Sequence, residues 1–311
     1  MKDIEITRPL HLDSSETVAL DTHSFLNILN VVNLELSCLA DLCGLEHELQ
    51  DSIQCIMSTA HDLSDPDVAY QRIAGLHEDI AAIKQQVADL LATKPEMRDS
   101  APVQEALENL ESIFTILHQR INDLQMHMHD RGNWKTFKIA QVINDFQQVF
   151  GAIEKNSKGR FRIISNIAAQ QSKDYYVDFK VHSTEDPWIS MPPVLIDVIR
   201  DLLANARKYT KPGGRISAGV WSDEHQLCIG VEDSGCGIPE QEIESVIDYG
   251  QRASNVLQRR TMGGGLGLTK AYVICKQFGG RFWIRSELNR GTRIRMVIPK
   301  APHQAGDCHA L

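Results

Sequence analysis

Basic charge is scarce in this chain of 311 residues: 32 Lys and Arg stand against 41 Asp and Glu, a formal net charge of -9 at pH 7. A broad nucleic-acid surface needs a basic excess, so nucleic acid is not an expected partner. Cysteine is limited to seven residues, an odd number with no C-x-x-C pair. With no secretory signal, free thiols in a reducing cytoplasm are expected rather than disulfides. The opening MKDIEITRPLHLDSSE is charged and has no apolar signal core. No apolar run reaches ~18 uninterrupted residues, so no membrane span is expected. The longest candidate, residues 25–42, is broken by Asn27, Asn30, Asn33, Glu35 and Asp41. Aromatics are only 6%, which favours helices packed through aliphatic side chains. Two glycine signatures are also missing. No G-x-x-x-x-G-K-[ST] occurs, and the one near match to G-x-G-x-x-G has Leu268 where its last glycine belongs.

What is present divides into two textures, on a length that suits about two domains. The first 130 residues read as three helical segments. The first opens at DSSE, where Asp13 and Glu16 have capping-box spacing. Its apolar residues Phe25, Leu29, Val32, Leu36, Leu39 and Cys43 alternate steps of four and three, a heptad seam. The second, from about Pro66 to Ala92, carries Ile73, Leu76, Ile80, Ile83, Val87 and Leu90. The third, from about Pro102 to Asp130, carries Val103, Leu107, Leu110, Phe114, Leu117, Ile121, Leu124 and Met128. Helices with one apolar stripe must bury it against each other or against a second copy, and a homodimeric bundle is the simplest arrangement.

From HDRGNWKTF onward, helices and strands mix. Residues 140–154 read as helix, RFRIIS and YYVDFKV as strands, and PPVLIDVIRDLLANARKYT as a helix with proline at its entrance. RISAGVWS and QLCIGVED form an expected hairpin across DEH, and RFWIRSEL and TRIRMVIP another across NRG. EQEIESVIDY reads as a short helix and LGLTKAYVICKQF as another. Antiparallel pairs beside separate helices predict a two-layer α+β sandwich. The expected organisation is a tail over 1–13, a helical bundle over 14–131 with an extra helix, the sandwich over 132–300 and a loose tail over 301–311.

Three polar or glycine-rich elements of the second half offer chemistry. In DLLANARKYT, Asp201, Asn205 and Lys208 share one side of a helix. An amide oxygen can hold a hard cation and an ammonium a phosphate; a solvated polar face explains the same pattern. In VEDSGCGIP, a strand ends at Asp233 and Gly235 and Gly237 follow at alternate positions. Such glycines admit a flat ligand, and the acid can accept from an amino group; a plain glycine turn is the alternative. In GGGLGLTKAYVICKQFGG, Gly263, Gly264, Gly265 and Gly267 precede a helix, whose exposed amides suit a phosphate; a flexible loop is the alternative.

Taken in order, with the late Gly291-Thr292, these elements resemble the ATP-binding domain of sensor histidine kinases, part of the wider family that includes gyrase and Hsp90-type ATPases. The resemblance covers about residues 133–300. It implies ATP and Mg2+ as cofactors. Asn205 would bind the metal and Lys208 the phosphates, and Asp233 would accept the adenine amino group beside Gly235 and Gly237. Gly263, Gly265 and Gly267 would flank the phosphates, and Asp201, Tyr209, Leu266 and Thr292 would complete the pocket. YGQRASNVLQRRTM, residues 249–262, would be a mobile lid with Arg252, Arg259 and Arg260 as candidate phosphate contacts. The family's phenylalanine-rich box is poorly kept here, with Tyr249 the nearest aromatic.

The same resemblance gives a context to DTHSFLNILN. Histidine kinases carry a phosphoacceptor histidine on the first helix of a dimeric bundle, which points to His23. At ~100° per residue, His23, Asn27, Asn30 and Leu34 form a stripe nearly opposite the seam, so His23 should face outward. The family's usual Asp or Glu directly after the histidine is Ser24 here. Asn27 matches the position that helps water dephosphorylate a partner regulator. A weak autokinase with a strong phosphatase side is therefore one expectation. His118 with Asn122 mimics the same spacing but on the helix leading into the ATP domain. His127 and His129 face two sides of a helix, and all three read as surface histidines.

The implied function is a cytoplasmic, homodimeric protein-histidine kinase that exchanges phosphate with an aspartate on a response regulator receiver domain, its input coming from a separate sensor protein or from the extra helices. A serine kinase of the same ATP fold is one alternative. A docking or phosphotransfer bundle without autokinase activity is another, against which intact Asn205, Asp233 and the glycine loop argue.

Overall fold

In a computed structural model the chain is described over residues 2–129, 133–157, 159–258 and 264–300. It comprises two compact units. One holds residues 11–131; the other joins residues 1–10 to most of the chain from 132 onward. Arg259, Arg260, Gly263 and the 301–311 tail lie outside the described residues, as do the side chains of His127 and His129.

The chain opens with strand β1, Ile4–Ile6, and then enters the helical unit. Helix α1, Ser14–Cys43, begins at the expected capping box. Glu16 N donates to Asp13 Oδ1 at 2.7 Å and Asp13 N to Glu16 Oε2 at 3.0 Å. It ends at Gly44, whose φ of +59° closes the last turn. Helices α2 (Gln50–Asp62), α3 (Ala69–Ala92), α4 (Pro95–Arg98) and α5 (Ala101–His129) follow. The α1 seam is buried at every expected position, and the α5 positions Val103, Leu110, Phe114, Leu117, Ile121 and Leu124 are buried with it. On α3 the last seam position is Leu91 rather than Leu90, which only packs against the core edge. Helix α2 falls within the expected first helical segment, which breaks at Gly44 and restarts at Gln50. Among its buried residues are Ser52 and Thr59, which hide its apolar stripe. The seams are thus covered within one chain. Each fully buried Leu or Ile there contributes roughly 1.5–3 kcal/mol. By length and composition α1 is the one described helix that could cross a membrane, although its seam is packed against its neighbours.

The second unit contains β2 (Lys135–Lys138), α6 (Ile139–Asn156), β3 (Ile163–Ile164), β4 (Tyr175–Ser183) and β5 (Trp188–Met191). It continues with α7 (Val194–Tyr209), β6 (Arg215–Ser222), β7 (Gln226–Asp233), α8 (Leu266–Gln277), β8 (Arg281–Glu287) and β9 (Gly291–Pro299). Seven strands form one sheet in the order β1-β8-β9-β7-β6-β4-β3, while β2 and β5 pair separately. Both expected hairpins are present as antiparallel pairs, β6 with β7 and β8 with β9. Strand β4 runs parallel to β3 and to β6, with β5 and α7 in the crossover. Helices α6, α7 and α8 bury their apolar sides on one face of the sheet, giving the expected two layers.

Two local expectations change. Residues 4–6 are not part of a tail: they pair with β8 as Ile4↔Ile284, Glu5↔Trp283 and Ile6↔Phe282, and Ile6 is buried in the sheet's core. EQEIESVIDY is not an α-helix. Glu240–Glu242 is one 3-10 turn after Pro239, and Ile243 N and Ser245 N donate three residues back. Buried Ile243, Val246 and Ile247 have helical spacing, but the Glu242 carboxylate is drawn into bonds from Ser254 N and Oγ at 2.7 and 2.6 Å.

Candidate functional site

The second unit gathers three of its polar elements at the C-terminal ends of α7 and β7 and the start of α8. Helix α7 buries Leu195, Val198, Ile199, Leu202, Leu203 and Ala206, which turns Asp201, Asn205 and Lys208 away from the core. Gly267, in the first turn of α8, packs directly on them. A Cβ there would lie 3.0 Å from Asn205 Nδ2 and 3.5 Å from Asp201 Cβ. Lys270 Nζ, on the same helix, lies 3.9 Å from Asp201 Oδ2. Both side chains are largely buried, and Asp201 Oδ2 accepts no hydrogen bond among the described residues. Nothing local in the sequence marks Lys270 as the partner of an acid 69 residues earlier.

Asp233 ends β7 between Ile216 on β6 and Thr292 on β9. Gly235 N donates to its Oδ1 at 2.7 Å. Burial nevertheless dominates and pushes its pKa up to about 6, against smaller lowering by Gly235 and Thr292. The Thr210 hydroxyl is buried beside it without a hydrogen bond of normal geometry. Gly235 is required by close approach: a Cβ would lie 2.6 Å from the Tyr209 carbonyl, which accepts from Cys236 N at 3.1 Å. Gly237 is required twice over. Its φ is +67°, and a Cβ would sit 2.1 Å from the Glu287 carbonyl. Ser286 locks the same junction, accepting from Ile238 N at 2.8 Å and lying 2.9 Å from Thr292 Oγ1. Asn255 Nδ2 donates to the Gly237 carbonyl at 2.9 Å, tying residues 254–256 to this loop.

At the other end, cations converge. Lys208 is half-buried over the Tyr209 ring at 5.3 Å. Burial, then the nearby charges of Arg252 and Arg207, bring its pKa down to about 8. Such mutual repulsion is relieved by an anion. Gly265 caps α8 with φ +79°, and a Cβ there would lie 2.8 Å from the Gln251 carbonyl. Leu266 follows it as the first helical residue. A buried acceptor, glycine floors and a cation cluster beside a glycine-started helix fit a nucleoside with attached phosphates.

In the helical unit, His23 and Asn27 are half-buried, Asn30 is exposed and Leu34 is 60% exposed, while Phe25 and Leu29 are buried. The helix is pinned nearby: Thr22 Oγ1 donates to the Val18 carbonyl at 2.9 Å, and Tyr70 Oη donates to Asp21 Oδ2 at 2.7 Å. Asp21, two residues before His23 in sequence, is thus engaged by Tyr70. His118 has a structural setting: its Nδ1 lies 2.8 Å from the Phe114 carbonyl, and its ring lies 4.8 Å from that of His77, tilted by 38°.

Residues 192–302 match the family described as histidine kinase-, DNA gyrase B- and HSP90-like ATPase, a span that carries every nucleotide-site residue placed above. The chain is 34% identical over 191 residues to the sensor histidine kinase WalK of Bacillus subtilis, covering 60% of this chain and 29% of WalK. It is 32% identical over 103 residues to the sensor protein SrrB of Staphylococcus aureus, covering 33% of this chain and 18% of SrrB. It is 29% identical over 124 residues to the circadian input-output histidine kinase CikA of Synechococcus elongatus, covering 40% of this chain and 16% of CikA. The chain thus spans less than a third of the length of these relatives. Among solved structures, the catalytic domain of histidine kinase ThkA aligns at 21% identity with a TM-score of 0.38, over 55% of this chain and 97% of that domain.

Proposed function

We infer, from a chain whose residues 192–302 form an ATPase domain of the histidine kinase, gyrase B and HSP90 type, that the protein is an ATP-dependent protein-histidine kinase with His23 as its phosphoacceptor. The observation that carries the nucleotide half is the packing of Gly267 on Asn205 and Asp201, which makes one site of two separated motifs. Asp233 accepts the adenine amino group, and Gly235 and Gly237 leave room for the ring. Lys208 and Arg252 hold the phosphates. Asn205 is the residue that would hold Mg2+ through its amide oxygen, the orphaned Asp201 oxygen lying beside it. Bound there, the metal would supply neutralisation of the phosphate charge.

The transfer itself needs little covalent chemistry from the protein. A neutral imidazole nitrogen of His23 attacks the γ-phosphorus, the bond to the bridging oxygen breaks, and ADP departs. The phosphoryl group then passes to an aspartate on a response regulator. Ser24 stands where the family's acid directly follows the histidine, which supports a weak forward reaction. Asn27 can orient a water for the reverse-side hydrolysis of the phosphorylated regulator. Leu34 on α1 and Ile116 on α5 are exposed apolar side chains that a second copy would cover in a homodimer.

Incubation with γ-labelled ATP and Mg2+ followed by acid tests this reading. Acid-labile label supports a phosphohistidine; acid-stable label supports the serine-kinase alternative instead. Phosphate release from a phosphorylated regulator, compared for wild type and Asn27→Ala, tests the phosphatase side, and equal rates would refute it.

A further inference from the structure

Residues 3–10 reach the nucleotide site from outside the matched family span. After pairing with β8, the segment is fastened at Glu5, whose two carboxylate oxygens accept from Arg281 at 2.8 and 2.6 Å. Arg8 then turns toward the loop before the lid. Its Nη2 donates to the Asp248 carboxylate, and its Nε donates to the Glu244 carbonyl at 3.2 Å. The Arg8 carbonyl in turn accepts from the Tyr272 hydroxyl on α8, and Tyr272 is fully buried.

Asp248 is the shared point. Its carbonyl accepts from Thr269 Oγ1 on α8 and from Gln251 N, each at 3.1 Å. Gln251 and Gly250 are the backbone against which Gly265 is pressed at the start of α8. Arg8 therefore touches both α8 and the loop that shapes its glycine-started end.

We propose that residues 3–10 strap the nucleotide site and that Arg8 is a positioning residue for its phosphate end, holding the Asp248–Gln251 loop against the start of α8. This rests on the nucleotide reading above. The strap contacts neither Asp233 nor the adenine-side glycines, so its effect falls on phosphate-dependent affinity. Arg8 and Asp248 are each about one-third exposed, at 37% and 34%. An ion pair so exposed contributes modestly, and a severalfold effect is expected rather than loss of binding.

The test measures ATP and AMP affinity by calorimetry on the full chain for wild type, Arg8→Ala, Arg8→Lys and Glu5→Ala. Arg8→Ala is expected to weaken ATP about fivefold, equivalent to about 1 kcal/mol, with AMP nearly unchanged. Arg8→Lys recovers part of the loss, and Glu5→Ala, which cuts only the outer fastening to Arg281, weakens ATP less than Arg8→Ala does. Wild-type ATP affinity in Arg8→Ala would overturn the proposal. So would an equal loss in Glu5→Ala or for AMP, since either would make the segment a general support. Failure of the wild-type protein to bind ATP would overturn the nucleotide reading itself, and the strap's role with it.

Discussion

Gly237 in the sheet unit and Gly75 in the helical unit occupy opposite situations. At Gly237, φ is +67° and a Cβ would meet the Glu287 carbonyl at 2.1 Å; at Gly75, in the middle of α3, nothing lies within 4 Å. The first glycine is demanded by a backbone crossing that shapes the nucleotide site. The second is demanded by nothing in its unit. The contrast extends to the units themselves. The sheet unit places its chemistry by close backbone approach, at Gly235, Gly237, Gly265 and Gly267. The helical unit places His23 and Asn27 by period alone, as the stripe left over once the seam is buried. Substitutions should therefore separate stability from chemistry in the helices and join the two in the sheet.

All four tryptophans, Trp134, Trp188, Trp221 and Trp283, lie in the sheet unit, so their emission follows that unit alone while helical circular dichroism follows both. The largest expected effect is Gly237→Ala. Positive φ and backbone overlap together should cost about 3 kcal/mol or more, seen as an early tryptophan transition in urea and loss of ATP binding. Retained ATP affinity would break the comparison. Next, Leu29→Ala should cost the helical unit about 2–5 kcal/mol through the cavity it leaves, visible by circular dichroism with the tryptophan transition unmoved. Asn30→Ala, exposed on the same helix, should shift neither by more than about 0.5 kcal/mol.

Asp233→Asn should weaken ATP about tenfold by removing a charged acceptor and leave the helices untouched. The pH dependence sharpens this. Asp233 titrates near 6, above its ordinary 3.8, because burial disfavours its charge. Its stabilising contribution is complete below about pH 4 and is lost as pH rises through 6. Nucleotide affinity has the opposite sign there: it should rise through pH 6 as the acceptor ionises. It should fall again through pH 8, where Lys208 gives up its proton. A flat profile between pH 5 and 9 in calorimetric titrations would remove both groups from the site. The smallest effect is a gain: Gly75→Ala should stabilise the helical unit by about 0.5–1 kcal/mol.

The seam of α1, its capping box and both hairpins were legible because each is a local pattern with a physical cause. Asp233, Gly235 and Gly237 were legible as a motif, although only the folded chain shows the positive φ and the Glu287 crossing that make Gly237 a glycine. Other features were not legible for equally physical reasons. Strand β1 is three residues long and its partner lies 276 residues away at Ile6↔Phe282, so no local period marks it. Helix α2 buries Ser52 and Thr59, which interrupt its hydrophobic stripe. EQEIESVIDY has helical spacing, yet its backbone closes in 3-10 and turn bonds after Pro239, a choice that no local pattern in the segment marks. Arg8 and Lys270 act through partners that only the folded chain brings near.

The central claim is that His23 receives phosphate from ATP held by the sheet unit. The most direct measurement is the label incorporated from γ-labelled ATP by His23→Gln, with ATP affinity measured on the same preparation. The account predicts wild-type ATP affinity and no acid-labile label. Undiminished acid-labile label in a variant that still binds ATP would contradict it.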